Sequence, residues 1–431
     1  MLQSPERIRP APEPAASNAP EKLTLVRARG SLVWDDKGRE YIDCTAQAWS
    51  NNLGANDPRV MEAAIAQIGE IMHARPNFNS IPLLALSRKL REIAPGALHQ
   101  IGYCLHGSLA GEMAIKLAFK NRPEARNLIV LQDGYHGRSL TTLAASWPHP
   151  NNPFLPIMPR FARAPHPDPY RPRTGLTPDQ DARLCLEMIE DMIVKGVDGP
   201  VAAFMMEPIQ GNGGHNEFPS SFYTGVRELC DRHGILLIWD EIQTGFGRLG
   251  TMWAAEYYGI QPDIIIFGKG VGGGFPLAGI LADERLKWFD EGEEALTFGQ
   301  FPVSLAAALA TVNAIVSDEL CAKAREHGEY ATARLREMAQ RRKLIGDIRC
   351  PGLMVAIELV TDRVEKTPAR HEAQEVYRRG LAHGVLFGES RYKGLGNLIK
   401  VKPPLDISRE QLAHALDVLD VVLGEIEEGR P

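Results

Sequence analysis

Through the middle of the chain, short apolar runs alternate with amphipathic stretches. Residues 128–131, Val201–Met206, 235–239, Ile264–Phe267 and Ala278–Ala282 are continuously apolar, and the pattern predicts strands buried on both faces. Between two of them, Ser220–His233 carries a helical spacing, with serine as the expected cap and Gly234 as the stop. Buried strands separated by helices predict an α/β fold around a mostly parallel sheet.

The two ends of the chain read differently. Residues 1–20 hold five prolines and four alanines, which predicts a flexible arm over 1–22 rather than a signal peptide. Residues 32–34, the turn Asp35-Asp36-Lys37-Gly38 and residues 41–43 predict a strand, a turn and a strand. Asp57 and Pro58 suit the cap and first turn of a helix. Residues 147–175 carry nine prolines and predict a long loop of the kind that serves function or an interface. Residues 345–360 and Leu398–Val401 predict strands of a separate small sheet. Ser408 and Gln411 form a capping box ahead of a final helix over 412–425. No internal repeat is present.

Composition narrows the class. The 431 residues suggest two or three domains. With 48 Lys and Arg against 54 Asp and Glu, the net charge is -6, which excludes a basic nucleic-acid footprint. No apolar run approaches the roughly 18 residues of a membrane span. Six cysteines lie scattered without a CxxC pair, so neither a disulfide framework nor a zinc site is expected, and a cytoplasmic location is.

The sharpest local pattern is Ile264-Ile-Ile-Phe267-Gly268-Lys269-Gly270-Val271-Gly272-Gly273-Gly274-Phe275-Pro276. Gly268, Gly270 and Gly273 match GxGxxG, but a dinucleotide site needs a helix next, and here another strand follows. A phosphate loop fails because no lysine follows the glycines. Lys269 is either a surface lysine beside a turn or a functional amine at the C-terminal end of a parallel sheet, where ligands bind. Desolvation there depresses an amine's pKa and suits it to Schiff-base chemistry. A second pattern places Asp240 and Glu241 directly after a buried strand, ahead of Ile242-Gln243-Thr244-Gly245-Phe246-Gly247-Arg248. The acids are either solvated turn residues, or at least one faces the site. A carboxylate held there can keep a pyridinium nitrogen protonated, as pyridoxal phosphate (PLP) requires. A metal reading lacks a nearby histidine cluster.

Together these motifs resemble the class III, fold type I, PLP-dependent aminotransferases. The separation of 269 − 240 = 29 residues matches the family, and the resemblance runs from about residue 25 to 424. It implies a large domain over 61–318 with a mostly parallel seven-stranded sheet. A small α+β domain would be built from 23–60 and 319–431. It implies Lys269 as the Schiff-base lysine and Asp240 as partner of the pyridine nitrogen. Gln243 falls where relatives contact the phenolic oxygen. Gly107 and Ser108 match the phosphate-binding turn, Tyr135 the stacking ring within Tyr135-His136-Gly137-Arg138, and Glu207 a carboxylate near the cofactor. Thr297 matches a threonine that reaches the phosphate of the other subunit, so the resemblance implies a homodimer with shared sites.

Departures from the family pattern bear on substrate. Relatives using 2-oxoglutarate carry an arginine where this chain has Lys400, paired with a glutamate where it has Asn212. Lysine cannot reproduce a bidentate fork. Either Lys400 binds a carboxylate as a point charge, or the α-carboxylate site differs. Arg138 either grips a distal carboxylate or forms a structural ion pair. Ala48 and Trp49 fall where relatives line the substrate pocket. The expected reaction moves an amino group from a primary amine or amino acid, possible ω-amino acids included, to an oxo acid. Racemisation, epimerisation or decarboxylating transamination on the same scaffold is the alternative. A non-catalytic binding protein is a third reading, against which Lys269, Asp240 and Gln243 argue.

Overall fold

Seven strands hydrogen-bond in the order Gln100–Cys104, Ala278–Ala282, Ile264–Phe267, Leu236–Asp240, Val201–Met206, Asn127–Leu131 and Ala162–Ala164 in a computed structural model. The structure describes residues 23–147, 153–390 and 396–429. The five strands from Ile264–Phe267 to Ala162–Ala164 pair in parallel, and Ala278–Ala282 runs antiparallel to both its neighbours. The chain therefore has the mostly parallel α/β sheet its patterning predicts.

The continuous apolar runs have a direct cause. Leu237, Trp239, Phe204 and Ile265 point into one packed layer, while Leu236, Ile238, Met205 and Ile266 point into the other. With both faces covered, alternation has no solvent side to mark. Each such side chain contributes about 1.5–3 kcal/mol by leaving water. Truncating one, as in Ile238→Ala, costs about 2–5 kcal/mol because the packed layer cannot close the gap.

Several predicted elements shift. The strand read over 235–239 is Leu236–Asp240, which puts Asp240 inside the sheet as its last residue. Gln100–Cys104 and Ala162–Ala164 are strands that patterning missed. The second lies within the proline-rich 147–175 segment, of which 148–152 fall outside the described residues. It is three residues long at the sheet's edge, where flanking prolines are tolerated. The 345–360 stretch divides into Ile345–Arg349 and Val355–Asp362. Ser220–His233 is a helix, but Pro219 occupies its cap position and no side chain caps it, so the expected serine cap is wrong. Gly234 ends it in the left-handed region at φ 65. Asp57 caps Pro58–Glu70, and Ser408 with Gln411 closes both halves of the capping box of Arg409–Glu427.

Two further sheets complete the framework. Leu25–Arg29, Leu32–Asp35 and Glu40–Asp43 form an antiparallel set, and Val385–Leu386 joins it beside Glu40–Asp43. Val355–Asp362 lies between Ile345–Arg349 and Leu398–Val401. The predicted arm over 1–22 lies outside the described residues. All six cysteines are unpaired. Among the described residues, no single helix is long and apolar enough to cross a membrane.

Candidate active site

The sheet gathers its chemistry at one edge. Asp240 ends its strand opposite Ile266, and Lys269 follows the adjacent strand after Gly268. Glu207 follows Val201–Met206, and Tyr135 and His136 follow Asn127–Leu131. Gly107 and Ser108 open the helix Gly107–Asn121. Parallel strands share one C-terminal end, so residues distant in sequence converge there. They line a cavity of about 310 Å³ that also includes Gln243. A Cβ on Gly107 would lie 2.7 Å from Ile242 Cδ1, so any larger residue at this turn would have to displace the tip of that side chain.

Asp240 is almost fully buried, and Oδ2 lies 2.8 Å from His136 Nδ1. The other ring nitrogen, Nε2, is buried without a hydrogen-bond partner among the described residues. The second acid behaves differently. Glu241 is fully buried and accepts from the amides of Ala254 and Ala255 at 2.6 and 3.0 Å, where the helix Ala254–Tyr258 begins. Of the pair, Asp240 faces the cavity and Glu241 holds the fold. Glu207 accepts from the amides of Tyr135 and Gly211, both at 2.8 Å, and so ties two cavity loops together.

Burial governs the charges. It lowers the Lys269 amine to about 8, against the opposing pull of Asp240 and Glu207. Burial raises the Glu207 carboxyl to about 7, with His136 opposing and Asp240 adding to the rise. Lys269 also stands at φ 48, outside the usual range for a side-chain-bearing residue, as backbones at functional sites often do.

The surroundings hold the remaining candidates. Lys400 is buried and donates to the Gly211 carbonyl at 2.9 Å. Burial, first, lowers it to about 7. Asn212 adjoins that carbonyl in sequence. Lys402, which the sequence reading overlooked, is equally buried and donates to Gln243 Oε1 at 2.7 Å. Its Nζ lies 4.0 Å from the Trp49 ring centroid, and Lys400 Nζ lies 5.7 Å from it. The alternation Lys400-Val401-Lys402 was the available signal, since residues two apart in an extended chain share a face. Trp49 reaches them from an unusual turn over Ala46–Trp49, whose four residues have φ 44, 48, 60 and 67. Asp43 holds that turn by accepting from the amides of Thr45 and Gln47 at 2.8 and 3.0 Å. Arg138 is exposed, with its guanidinium 4.6 Å from the Tyr135 ring centroid, and has no carboxylate partner among the described residues. Thr297 is exposed and does not line the cavity of its own chain.

Residues 15–423 match the family model described as aminotransferase class III. The chain belongs to the class III aminotransferases. An acetylornithine aminotransferase of Methanopyrus kandleri is 33% identical, over 91% of this chain and 92% of the relative. An isoleucine 2-epimerase of Lentilactobacillus buchneri is 35% identical, over 94% and 91%. Among solved structures, an (S)-enantioselective omega-transaminase from Thermomicrobium roseum superposes with a TM-score of 0.86 at 28% identity, covering 96% of each chain.

Class III aminotransferases are PLP-dependent enzymes, and the residues present fit that cofactor. The helix Gly107–Asn121 begins without a side-chain cap, leaving first-turn amides and the positive end of its dipole for a phosphate. The same cavity supplies a buried carboxylate, a desolvated amine and an amide side chain. His136 Nε2 is a buried polar atom that the protein itself leaves unbonded.

Proposed function

We propose that this class III aminotransferase moves an amino group from a primary amine or amino acid to an oxo acid, with Lys269 and Asp240 as its catalytic residues. The observation that carries this reading is the meeting of Lys269, Asp240 and Gln243 in one cavity at the sheet's C-terminal edge. When bound, PLP supplies an electron sink for the substrate carbon. The protein's part is to place and move protons. Lys269, whose amine is lowered to about 8, would take the proton from the substrate carbon onto Nζ and hold it there for return in the second proton transfer. Asp240, oriented by His136, holds a proton at the ring nitrogen. Gly107 and Ser108 would hold the phosphate, Tyr135 would stack on the ring, and Gln243 would meet the ring oxygen. Glu207 fixes the backbone of Tyr135.

Arg138 takes a carboxylate remote from the amine, a role supported by its exposure and by the lack of an ion-pair partner among the described residues. Trp49, Asn212 and Lys400 shape the other side of the substrate site. A homodimer, with Thr297 completing the neighbour's phosphate site, is supported by the exposed Thr297 and Phe298. Apolar exposure at Ile65, Ile68, Met72, Phe78 and Ile81 supports it too. The division into 23–60, 61–318 and 319–431 and a cytoplasmic location belong to the same reading. The test is an amino donor supplied alone to the holoenzyme. One equivalent of oxo product per site is expected from at least one member of a broad panel of amines and amino acids; release from none overturns the reading.

Racemisation or epimerisation is the second reading. It is favoured by Lys400, whose amine is engaged by the Gly211 carbonyl where family members that use 2-oxoglutarate carry an arginine. Chiral analysis of one amino acid without any oxo acid separates the two, since inversion requires no acceptor.

A further inference from the structure

Gln243 sits in a clamp that the reaction described above does not require. Its Oε1 accepts from Lys402 Nζ at 2.7 Å. On its flank, a Cβ on Gly211 would lie 2.4–2.5 Å from the Gln243 amide atoms, so only glycine leaves room for the amide there. Gly211 is itself held at both ends, its amide by Glu207 Oε2 at 2.8 Å and its carbonyl by Lys400 Nζ at 2.9 Å. The indole of Trp49 covers both lysines. Neither lysine has a carboxylate within ion-pair distance among the described residues, although both are 1% exposed. Two buried amines without an ion-pair partner are costly; Lys402 gives its hydrogen bond to a cavity side chain, Gln243, and Lys400 gives its own to the backbone of Gly211, which packs on that amide.

We propose that Lys402 is a positioning residue that fixes the Gln243 amide with its oxygen turned away and its N–H pair facing the cavity. An amide can present either end to a ligand, and which end it presents is set by its other partner. Burial and neighbouring cations work against the charge on Lys402, while the Trp49 ring face works for it. In either state Nζ carries hydrogens to give, and Oε1 takes one. The N–H pair then meets an acceptor on the cofactor, favouring the phenolate over the phenol form of its ring oxygen. Lys400 supports the same amide one step removed, through Gly211.

This inference rests on the reading that Gln243 faces the cofactor ring, and the test separates the two. The holoenzyme's absorbance and its dissociation constant for PLP are measured in three variants. Lys402→Met is expected to move absorbance from the long-wavelength phenolate band to the short-wavelength phenol band. It should also weaken PLP about tenfold, the scale of one hydrogen bond. Gln243→Met is expected to do the same. Lys402→Arg, which can only donate, is expected to keep the long-wavelength band. If Gln243→Met changes both readouts and Lys402→Met neither, Lys402 only packs and the proposal is overturned. If Gln243→Met changes neither, the reading beneath falls and takes the proposal with it. Should Lys402→Met not fold, Lys402→Gln carries the test. Its amide can meet Gln243 either way round, so a mixture of the two bands is expected, and an unchanged spectrum overturns the proposal.

Discussion

The partly buried amine of Lys269 and the fully buried amines of Lys400 and Lys402 differ in chemical character. Lys269 has Asp240 and Glu207 as acidic neighbours, and its amine stays titratable at about 8. Lys400 and Lys402 give their hydrogen bonds to a carbonyl and an amide oxygen beneath an indole face, and Glu207 acts on them without forming an ion pair. The difference teaches that burial alone does not make a lysine reactive. The Lys269 amine lines the cavity and makes no hydrogen bond among the described residues, so it is free to react. Neutral acceptors turn the other two into fixed donors that hold a loop and an amide in place.

The largest effect should come from the reactive member. Lys269→Met is expected to lower turnover on the order of 10³-fold or more, measured by oxo-product formation, with the fold intact. A loss under about tenfold would erase the contrast with Lys402. The neighbouring acids sharpen it next. Asp240→Asn should lower kcat by about 10²–10³-fold with little change in urea unfolding. Glu241→Gln should leave kcat within a few-fold and cost about 1–3 kcal/mol of stability, because Ala254 and Ala255 donate to different carboxylate oxygens and glutamine replaces one of these with an NH2 that cannot accept. Equal kinetic effects would contradict the division of labour.

Smaller effects probe substrate and charge. Arg138→Ala is expected to raise KM about tenfold or more for oxo acids with a distal carboxylate, and to spare amines that lack one. In the cofactor-free protein, the Lys269 amine is lowered in the fold from 10.5 to about 8. The unfolded chain therefore binds more protons between these values. Stability should rise with pH across that window, and Lys269→Met should flatten part of the slope.

The sheet was legible because its strands are uninterrupted apolar runs, and Lys269 and Asp240 stood out where such runs end. Ala162–Ala164 was not, since three residues among prolines carry no period. Lys402 escaped because a lysine after a strand ordinarily lies in water. Only the packing of Trp49 and Gln243 against it, from segments 353 and 159 residues away in sequence, makes it part of the site. Ser220 failed as a cap because the chain enters its helix through Pro219.

The turn over Ala46–Trp49 has a consequence for redesign. Four successive side-chain-bearing residues with positive φ each cost about 1–2 kcal/mol relative to a relaxed backbone. The usual rule that glycine weakens a folded segment therefore reverses here. Ala48, at φ 60, is a position where glycine should raise the melting temperature. The native alanine keeps the turn that carries Trp49 strained, and a more tolerant enzyme would be sought by relaxing that one turn.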